Sequence, residues 1–212
     1  MTRSRTAGVL AAAGLTVAAL TGCAEERLGA AAVIDGRAVS TDELQEATRD
    51  YLEVVPDADA GDAQLAILQR TIVSAVIDEA ARQNGVRVRP GRVAAERDAL
   101  LPTVGGREGL IRTLAESQQP TMLSPADIDR WVKDRLLFEA IATELAGADL
   151  DPSSPEAQEA LTRTNDELQS ASRSMDIEVS PRYGRWDPDT GLTALISGGL
   201  ADTPEELGER GS

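Results

Sequence analysis

The sequence contains no histidine, and only one of its 212 residues is a cysteine. Without histidine, the chain cannot carry a Ser-His-Asp or Cys-His catalytic site, a histidine-ligated metal or a histidine proton switch. A single cysteine excludes an internal disulfide and a cysteine-rich zinc site. These two absences remove several of the most familiar classes of enzyme and metalloprotein.

Aromatic side chains and positive charge are also scarce. Phe, Trp and Tyr together make up 2% of the residues, so the core must be built from Leu, Val, Ile and Ala. The 21 basic residues are outnumbered by 36 acidic ones, which gives a formal net charge of −15. Because nucleic-acid binding needs clustered Lys and Arg, this balance argues against a nucleic-acid partner.

The first 23 residues have the pattern of an export signal. Arg3 and Arg5 form a positive segment, and residues 7–20 form an apolar segment of small side chains. The residues Leu-Thr-Gly-Cys at 20–23 then resemble the bacterial lipobox. That resemblance implies that diacylglycerol is attached to the Cys23 thiol and that the chain is cleaved before it. The alternative, a transmembrane helix, needs about 20 apolar residues, more than this segment contains.

The sequence therefore predicts four segments. These are a signal peptide over residues 1–22, a lipidated tether over 23–31, a folded domain over 32–190 and a disordered tail over 191–212. We expect the mature protein to be lipid-anchored to the cell membrane on its extracytoplasmic face. Without Arg3 and Arg5 it has 19 basic and 36 acidic residues, a formal charge of −17, so the lipid must provide the attachment to anionic membranes.

Helix signals dominate the predicted domain. Ser40 with Glu43 is a capping box that opens a helix, and Pro56 ends it. The longest apolar-periodic run, from Ala63 to Asn84, is expected to be the central helix of the core. Together, caps and periodicity predict helices over residues 40–55, 63–84, 91–101, 107–117, 124–146 and 154–172. The inward residues predicted for the last of these are Ala157, Leu161 and Leu168.

The acidic segment 57–62 resembles a calcium loop, but its spacing is wrong. An EF-hand needs an oxygen ligand at the fifth position and glycine at the sixth. Here Gly61 occupies the fifth position and Asp62 the sixth. We therefore interpret the segment as a plain loop in which Asp62 caps the following helix.

Two short segments at opposite ends of the domain are predicted to pair. Residues 175–179 alternate apolar and acidic side chains, which is typical of a half-buried strand, and residues 32–34 are a second apolar strand candidate. Because an isolated strand leaves its backbone groups unpaired, the two should form a small antiparallel sheet. The predicted fold class is mainly α, with a two-stranded sheet joining the chain ends. A further short extended piece, residues 37–39, follows a turn signal at Asp35-Gly36.

Tyr183 and Trp186, two of the five aromatic residues, follow the second strand beside glycine and proline. We interpret them as a structural clasp over the sheet and the helical core, in preference to a ligand-binding pair. Met122-Leu123 is a candidate exposed apolar spot, although buried packing between helices explains it better.

Taken together, these segments resemble a known protein family. The chain is similar to the N-terminal chaperone domain of SurA and to PrsA-type foldase lipoproteins. The similarity lies in the order of its parts: a lipoprotein signal, then AAAVIDGRAVSTDEL, then several helices, then IEVSPRYGRWDP. Residues 33–44 and 179–186 carry the match, with Asp35 in place of the commoner asparagine. The resemblance covers residues 30–187.

This resemblance implies a chaperone module without catalytic residues. Family members often contain a parvulin prolyl-isomerase domain, but residues 147–174 are far too few for a domain of roughly a hundred residues. A separate prolyl isomerase is therefore a candidate partner.

The function implied is a membrane-anchored extracytoplasmic holdase that binds unfolded exported polypeptides. The alternative is a non-enzymatic scaffold lipoprotein with one cell-envelope partner. A carboxylate-pair enzyme is disfavoured, because acidic residues such as Asp42, Glu43 and Asp127 fit helix caps and solvated faces better. We predict no catalytic, cofactor or metal site, only lipid attachment at Cys23, and the sequence does not assign client-binding residues.

Overall fold

Residues 29–147 and 154–188 are described by the computed structural model, and they form a mainly helical domain with one small sheet, as predicted. The strands are β1 (Ala30–Ile34), β2 (Arg37–Ser40) and β3 (Ile177–Val179). The α-helices are α1 (Thr41–Val54), α2 (Ala60–Gln83), α3 (Pro90–Leu100), α4 (Gly106–Ala115), α5 (Ile128–Ala146) and α6 (Pro155–Ser174). Two 3-10 helices, Leu101–Val104 and Pro125–Asp127, precede α4 and α5.

The sheet joins the two ends of the described chain. β1 lies in the middle and pairs antiparallel with both β2 and β3, in the order β2-β1-β3. Ala32 lies opposite Val179 and Ile34 opposite Ile177, which confirms the predicted pairing. The helices are thus an insertion between two strands of one sheet.

The sheet has three strands, one more than the two that were predicted, because β2 pairs with the other side of β1. Asp35 and Gly36 form a two-residue turn with φ values of 47° and 78°. Both angles lie in the left-handed region, and such a turn folds a chain back on itself with the twist of a hairpin. The extended piece after the turn therefore pairs with β1 instead of leaving the sheet.

Helix starts follow local capping chemistry. At α1 the Glu43 amide donates to the Ser40 hydroxyl at 3.1 Å, and the Ser40 amide donates to the Glu43 carboxylate at 3.0 Å, so the capping box is confirmed. The predicted N-cap of α2, Asp62, was wrong, and the N-cap is Asp59. The Asp59 carboxylate accepts the amides of Gly61 at 2.8 Å and Asp62 at 2.9 Å, so the helix begins three residues earlier.

Helix α2 is the centre of the core, as expected, and it packs against α1, α5 and α6. Its fully buried hydrophobic side chains pack with those of α5, α6 and β1. One predicted inward residue of α6, Leu161, is instead 37% exposed, because it lies one position away from the buried face that carries Ala157, Ala160 and Leu168. Leu123 is fully buried, which agrees with the packing interpretation.

The two aromatic residues after β3 cover the end of the core. Tyr183 is 6% exposed and Trp186 is 7% exposed, and both belong to the main hydrophobic cluster. The indole N–H of Trp186 donates to the hydroxyl of Ser172 on α6 at 3.2 Å. This contact ties the segment after β3 to the last helix, as the predicted clasp requires. We call Tyr183 and Trp186 the clasp.

Candidate functional site

A groove runs along the outer side of β2. It consists of two adjoining cavities of about 540 Å³ and about 500 Å³, which share Ala38, Val39, Thr71 and Arg130. One end lies between β2, α1, α2 and the start of α5, and the other end lies between the β1–β2 hairpin and the second half of α2. We call this continuous depression the edge groove.

Hydrogen bonds to β3 show which way the backbone of β1 faces. The Ser180 amide donates to the Ala31 carbonyl at 2.9 Å, and the Asp35 amide donates to the Asp176 carbonyl at 2.8 Å. In antiparallel sheets the backbone groups of successive residues point to alternate sides of a strand. Ala31 and Asp35, with the residue midway between them, therefore face β3.

The same alternation gives the direction of the backbone N–H and C=O groups of β2. Ala32 and Ile34 of β1 face β2, where they lie opposite Val39 and Arg37. Ala38 lies between those two partners, so its N–H and C=O point away from β1. The residue is exposed and lines both cavities of the edge groove. The groove therefore contains an open strand edge with one amide and one carbonyl directed outward.

The floor of the edge groove is apolar and its sides are acidic. Hydrophobic side chains along it come from four elements and from the residue directly after α6: Ile34, Val39, Leu44, Ala47, Ile67, Ala75 and Met175. The charged residues lining it are seven acidic ones, Asp35, Glu43, Glu46, Asp50, Asp78, Glu79 and Asp127, and three basic ones, Arg37, Arg82 and Arg130. The carboxylates exceed the guanidinium groups, so the groove is a site of negative potential.

The negative charge is least compensated at the α1 end, where four carboxylates accompany only Arg130. Glu43 is occupied by the helix cap, and its hydrogen bonds from the Ser40 backbone and side chain lower the pKa of that carboxyl. Asp127 lies 3.7 Å from Arg130, and Glu46 lies 4.0 Å from Arg49. Across the described residues, no ion pair engages Asp50. Glu46 and Asp50, one helical turn apart, are therefore the carboxylates most available to an incoming cation.

A buried polar network lies behind the groove wall. The Ser74 hydroxyl, on the groove-lining face of α2, donates to the carboxylate of Asp134 on α5. The same carboxylate oxygen lies 2.5 Å from the Arg70 guanidinium. Asp134 is 3% exposed, and among the described residues neither its second oxygen nor the Arg70 Nε has a hydrogen-bond partner. These contacts join α2 to α5, so Asp134, Arg70 and Ser74 hold one wall of the groove in place.

Burial determines the protonation behaviour of this network. Desolvation raises the pKa of Asp134, against the lowering effects of the Ser74 hydrogen bond and the Arg70 charge. Desolvation likewise lowers the pKa of Arg70. Both shifts have the same cause, the removal of a charged group from water. This network was not predicted from the sequence, although Arg70 and Ser74 are four residues apart within an apolar helix, a spacing that places both on one face.

The predicted site residues fall largely outside the described chain. Cys23, the signal segment 1–22 and the tail 191–212 lie beyond the described residues, so the lipid-attachment site stays a prediction. Among the described residues, no group of three or more acidic or cysteine side chains is placed to hold a metal ion. No helix within residues 29–147 and 154–188 has the length and apolar character needed to cross a bilayer.

Comparison of the chain with protein-family models, with curated proteins and with solved structures found no match.

Proposed function

We propose that this protein is a lipid-anchored extracytoplasmic chaperone, similar to SurA and PrsA, that holds unfolded exported polypeptides. One observation carries the proposal: β1 and β3 pair around a helical insertion, at the positions of the two resembling motifs. The lipobox-like residues 20–23 support anchoring through Cys23.

The edge groove suits this role because it recognises features that all unfolded chains share. An open strand edge binds the main chain of an extended polypeptide, whatever its sequence. The apolar floor adds burial of hydrophobic side chains, which are exposed in unfolded proteins and covered in folded ones. The acidic balance keeps a loaded complex soluble and disfavours acidic clients.

Light scattering during dilution of a denatured client tests the proposal. Several unrelated denatured proteins are diluted into buffer with lipid-free residues 24–212, and an equal concentration of an unrelated acidic protein is the control. Suppressed aggregation of several clients at near-stoichiometric ratios is the expected result. No suppression for any client would contradict the holdase and would favour the scaffold alternative. Affinity capture of one envelope protein at a fixed ratio would then support that alternative.

Anchoring is tested separately by metabolic labelling with a radioactive fatty acid. We expect label on the wild-type chain and none on Cys23→Ser, which lacks the thiol that would be acylated. Labelling of both chains, or of neither, would contradict lipid attachment at Cys23.

A further inference from the structure

We infer that the β2 edge binds an extended, arginine- or lysine-bearing segment of a polypeptide as an additional strand, making β2 an inner strand of a four-stranded sheet. This inference deepens the proposed function and rests on it for the nature of the occupant, an unfolded polypeptide. Three observations support it: the direction of the Ala38 backbone, the floor of the groove and its charge.

The Ala38 backbone supplies the main-chain contact. Its N–H and C=O point away from β1, and its small exposed side chain does not shield them. An added strand receives one hydrogen bond from the N–H and donates one to the C=O, the pattern of β-strand addition. Ser40, two residues further on, is closed to such pairing, because its amide donates to Glu43. The docking point is therefore centred on Ala38.

The floor of the groove supplies apolar contacts beside that edge. Val39, Leu44 and Ile67 line one cavity, and Ile34, Ala75 and Met175 line the other. Side chains of an extended segment alternate between two faces. Every second residue of the added strand therefore lies against this floor, and the residues between point to the rim or to solvent.

The rim selects for positive charge. At the α1 end, Glu46 and Asp50 lie on one face of the helix, and Arg130 is the one cation lining that cavity within the described chain. An arginine or lysine on the added strand compensates these carboxylates, whereas a glutamate is repelled. The charge of the groove thus makes a basic, apolar segment the complementary occupant.

The opposite edge of the sheet does not offer the same site. β3 is three residues long and is followed by Ser180 and Pro181, and the proline has no N–H to donate. The cavity beside β3 is lined by one acidic residue, Glu178, and one basic residue, Arg182, so it lacks the acidic excess of the edge groove. A basic extended segment is therefore directed to β2 and not to β3.

Fluorescence anisotropy with synthetic peptides provides the binding test. The probes are a ten-residue peptide alternating valine and arginine, and the same peptide with glutamate in place of arginine, added to the full chain in a non-ionic detergent. We expect the arginine peptide to bind and the glutamate peptide to bind at least about tenfold more weakly. Equal binding of both peptides would overturn the charge selection.

Ala38→Pro removes the outward N–H, and Ala38→Thr is its matched control because it keeps that N–H while adding bulk. The expected result is a loss of about tenfold or more in affinity for Ala38→Pro and a change under about twofold for Ala38→Thr.

Glu46→Gln combined with Asp50→Asn should weaken binding of the arginine peptide by about threefold. The off-groove pair Glu116→Gln with Glu139→Gln, an equal change of charge, should leave it unchanged.

Hydrogen exchange locates the peptide independently of any variant. On adding the arginine peptide, residues 37–44 should gain protection and residues 177–179 should not. Protection confined to β3, or equal affinity for Ala38→Pro and Ala38→Thr, overturns the inference. If Ala38→Pro does not fold by circular dichroism, the hydrogen exchange and the charge variants decide.

The aggregation assay separates this inference from the proposed function. A folded Ala38→Pro chain that binds no peptide but still suppresses aggregation as well as the wild type shows a holdase that uses another surface, which overturns the unfolded polypeptide as the occupant of the β2 edge and leaves the holdase standing. A wild-type chain that binds the arginine peptide at β2 yet suppresses no aggregation supports the inference and overturns the holdase.

Discussion

The two sides of the small sheet differ in how far their polar groups are hydrogen-bonded. On the β3 side, the Trp186 indole and the Ser172 hydroxyl are buried and bonded to each other, and the clasp covers the strand end. On the β2 side, the Ala38 backbone is open, and Asp134 and Arg70 behind the groove each have an atom without a hydrogen-bond partner in the described part of the chain. A satisfied buried polar group supports a single packed arrangement, whereas an unsatisfied one costs stability. The buried polar groups of the β3 side are thus better satisfied than those of the β2 side, where the proposed binding edge lies.

The largest effect is expected from removing the β3 side altogether. Deletion of residues 175–187 takes away β3 and the clasp, and it leaves the buried face of β1 and one of its backbone edges uncovered. We expect the chain to aggregate, as measured by size-exclusion chromatography beside the full chain. A soluble monomer with the helical content of the full chain would contradict the proposed division between the two sides.

Trp186→Ala tests the clasp alone. Removing a buried indole from the core should cost about 3 kcal/mol or more in the free energy of unfolding, measured by chemical denaturation. Ser172→Ala is the comparison variant, because it removes the hydroxyl partner and keeps the ring, and it should cost about 1 kcal/mol. An unchanged unfolding midpoint for Trp186→Ala would refute the clasp.

The network behind the groove should make stability depend on pH. Because burial raises the pKa of Asp134 above its ordinary value of 3.8, folding favours the protonated carboxyl. Its contribution is complete below that ordinary value and is lost as the pH rises through the folded-state pKa. Asp134→Asn has no such titration. The free energy of unfolding of the wild type minus that of Asp134→Asn should therefore fall as the pH rises above the ordinary value of 3.8. A difference that grows with pH in urea denaturation would contradict this assignment.

The smallest effect on stability is expected at the open edge. Ala38→Pro removes an N–H that bonds nothing in β1, so its cost in unfolding free energy should stay below about 1 kcal/mol. Val39→Pro removes an N–H that faces β1, and it should be the more destabilising of the two. Equal costs in thermal denaturation would mean that the Ala38 amide is not directed outward.

Local chemistry was enough to predict much of the architecture. The Ser40–Glu43 box predicted the start of α1. The alternation over residues 175–179 and the need to pair that strand led to the correct β1–β3 contact. The predictions failed where two local solutions compete. Asp59 and Asp62 can both cap α2, and only the geometry of the preceding loop selects Asp59. Leu161 has the character of a core residue, but the way α6 packs leaves it exposed.

The edge groove could not be predicted from the sequence, because its parts are far apart along the chain. Ala38, Ile67 and Arg130 belong to three different elements, and the residues next to each of them form no motif that would indicate a binding site. They come together only when the hairpin, α2 and α5 take their places. Likewise, Asp134 is recognisable as a buried carboxylate only once Arg70 and Ser74 are placed opposite it.

The Asp35 turn has a consequence for the order of folding. Its carboxylate accepts the Asp176 amide at 2.8 Å, and its own amide donates to the Asp176 carbonyl, across a separation of 141 residues. Contacts between such distant positions form late, because a long loop must close before they can be made. β1 is synthesised first among the strands and β3 last, so β1 can pair with β3 only after nearly the whole domain has been synthesised. Any chain that stops before Asp176 consequently leaves β1 without the partner that completes its sheet.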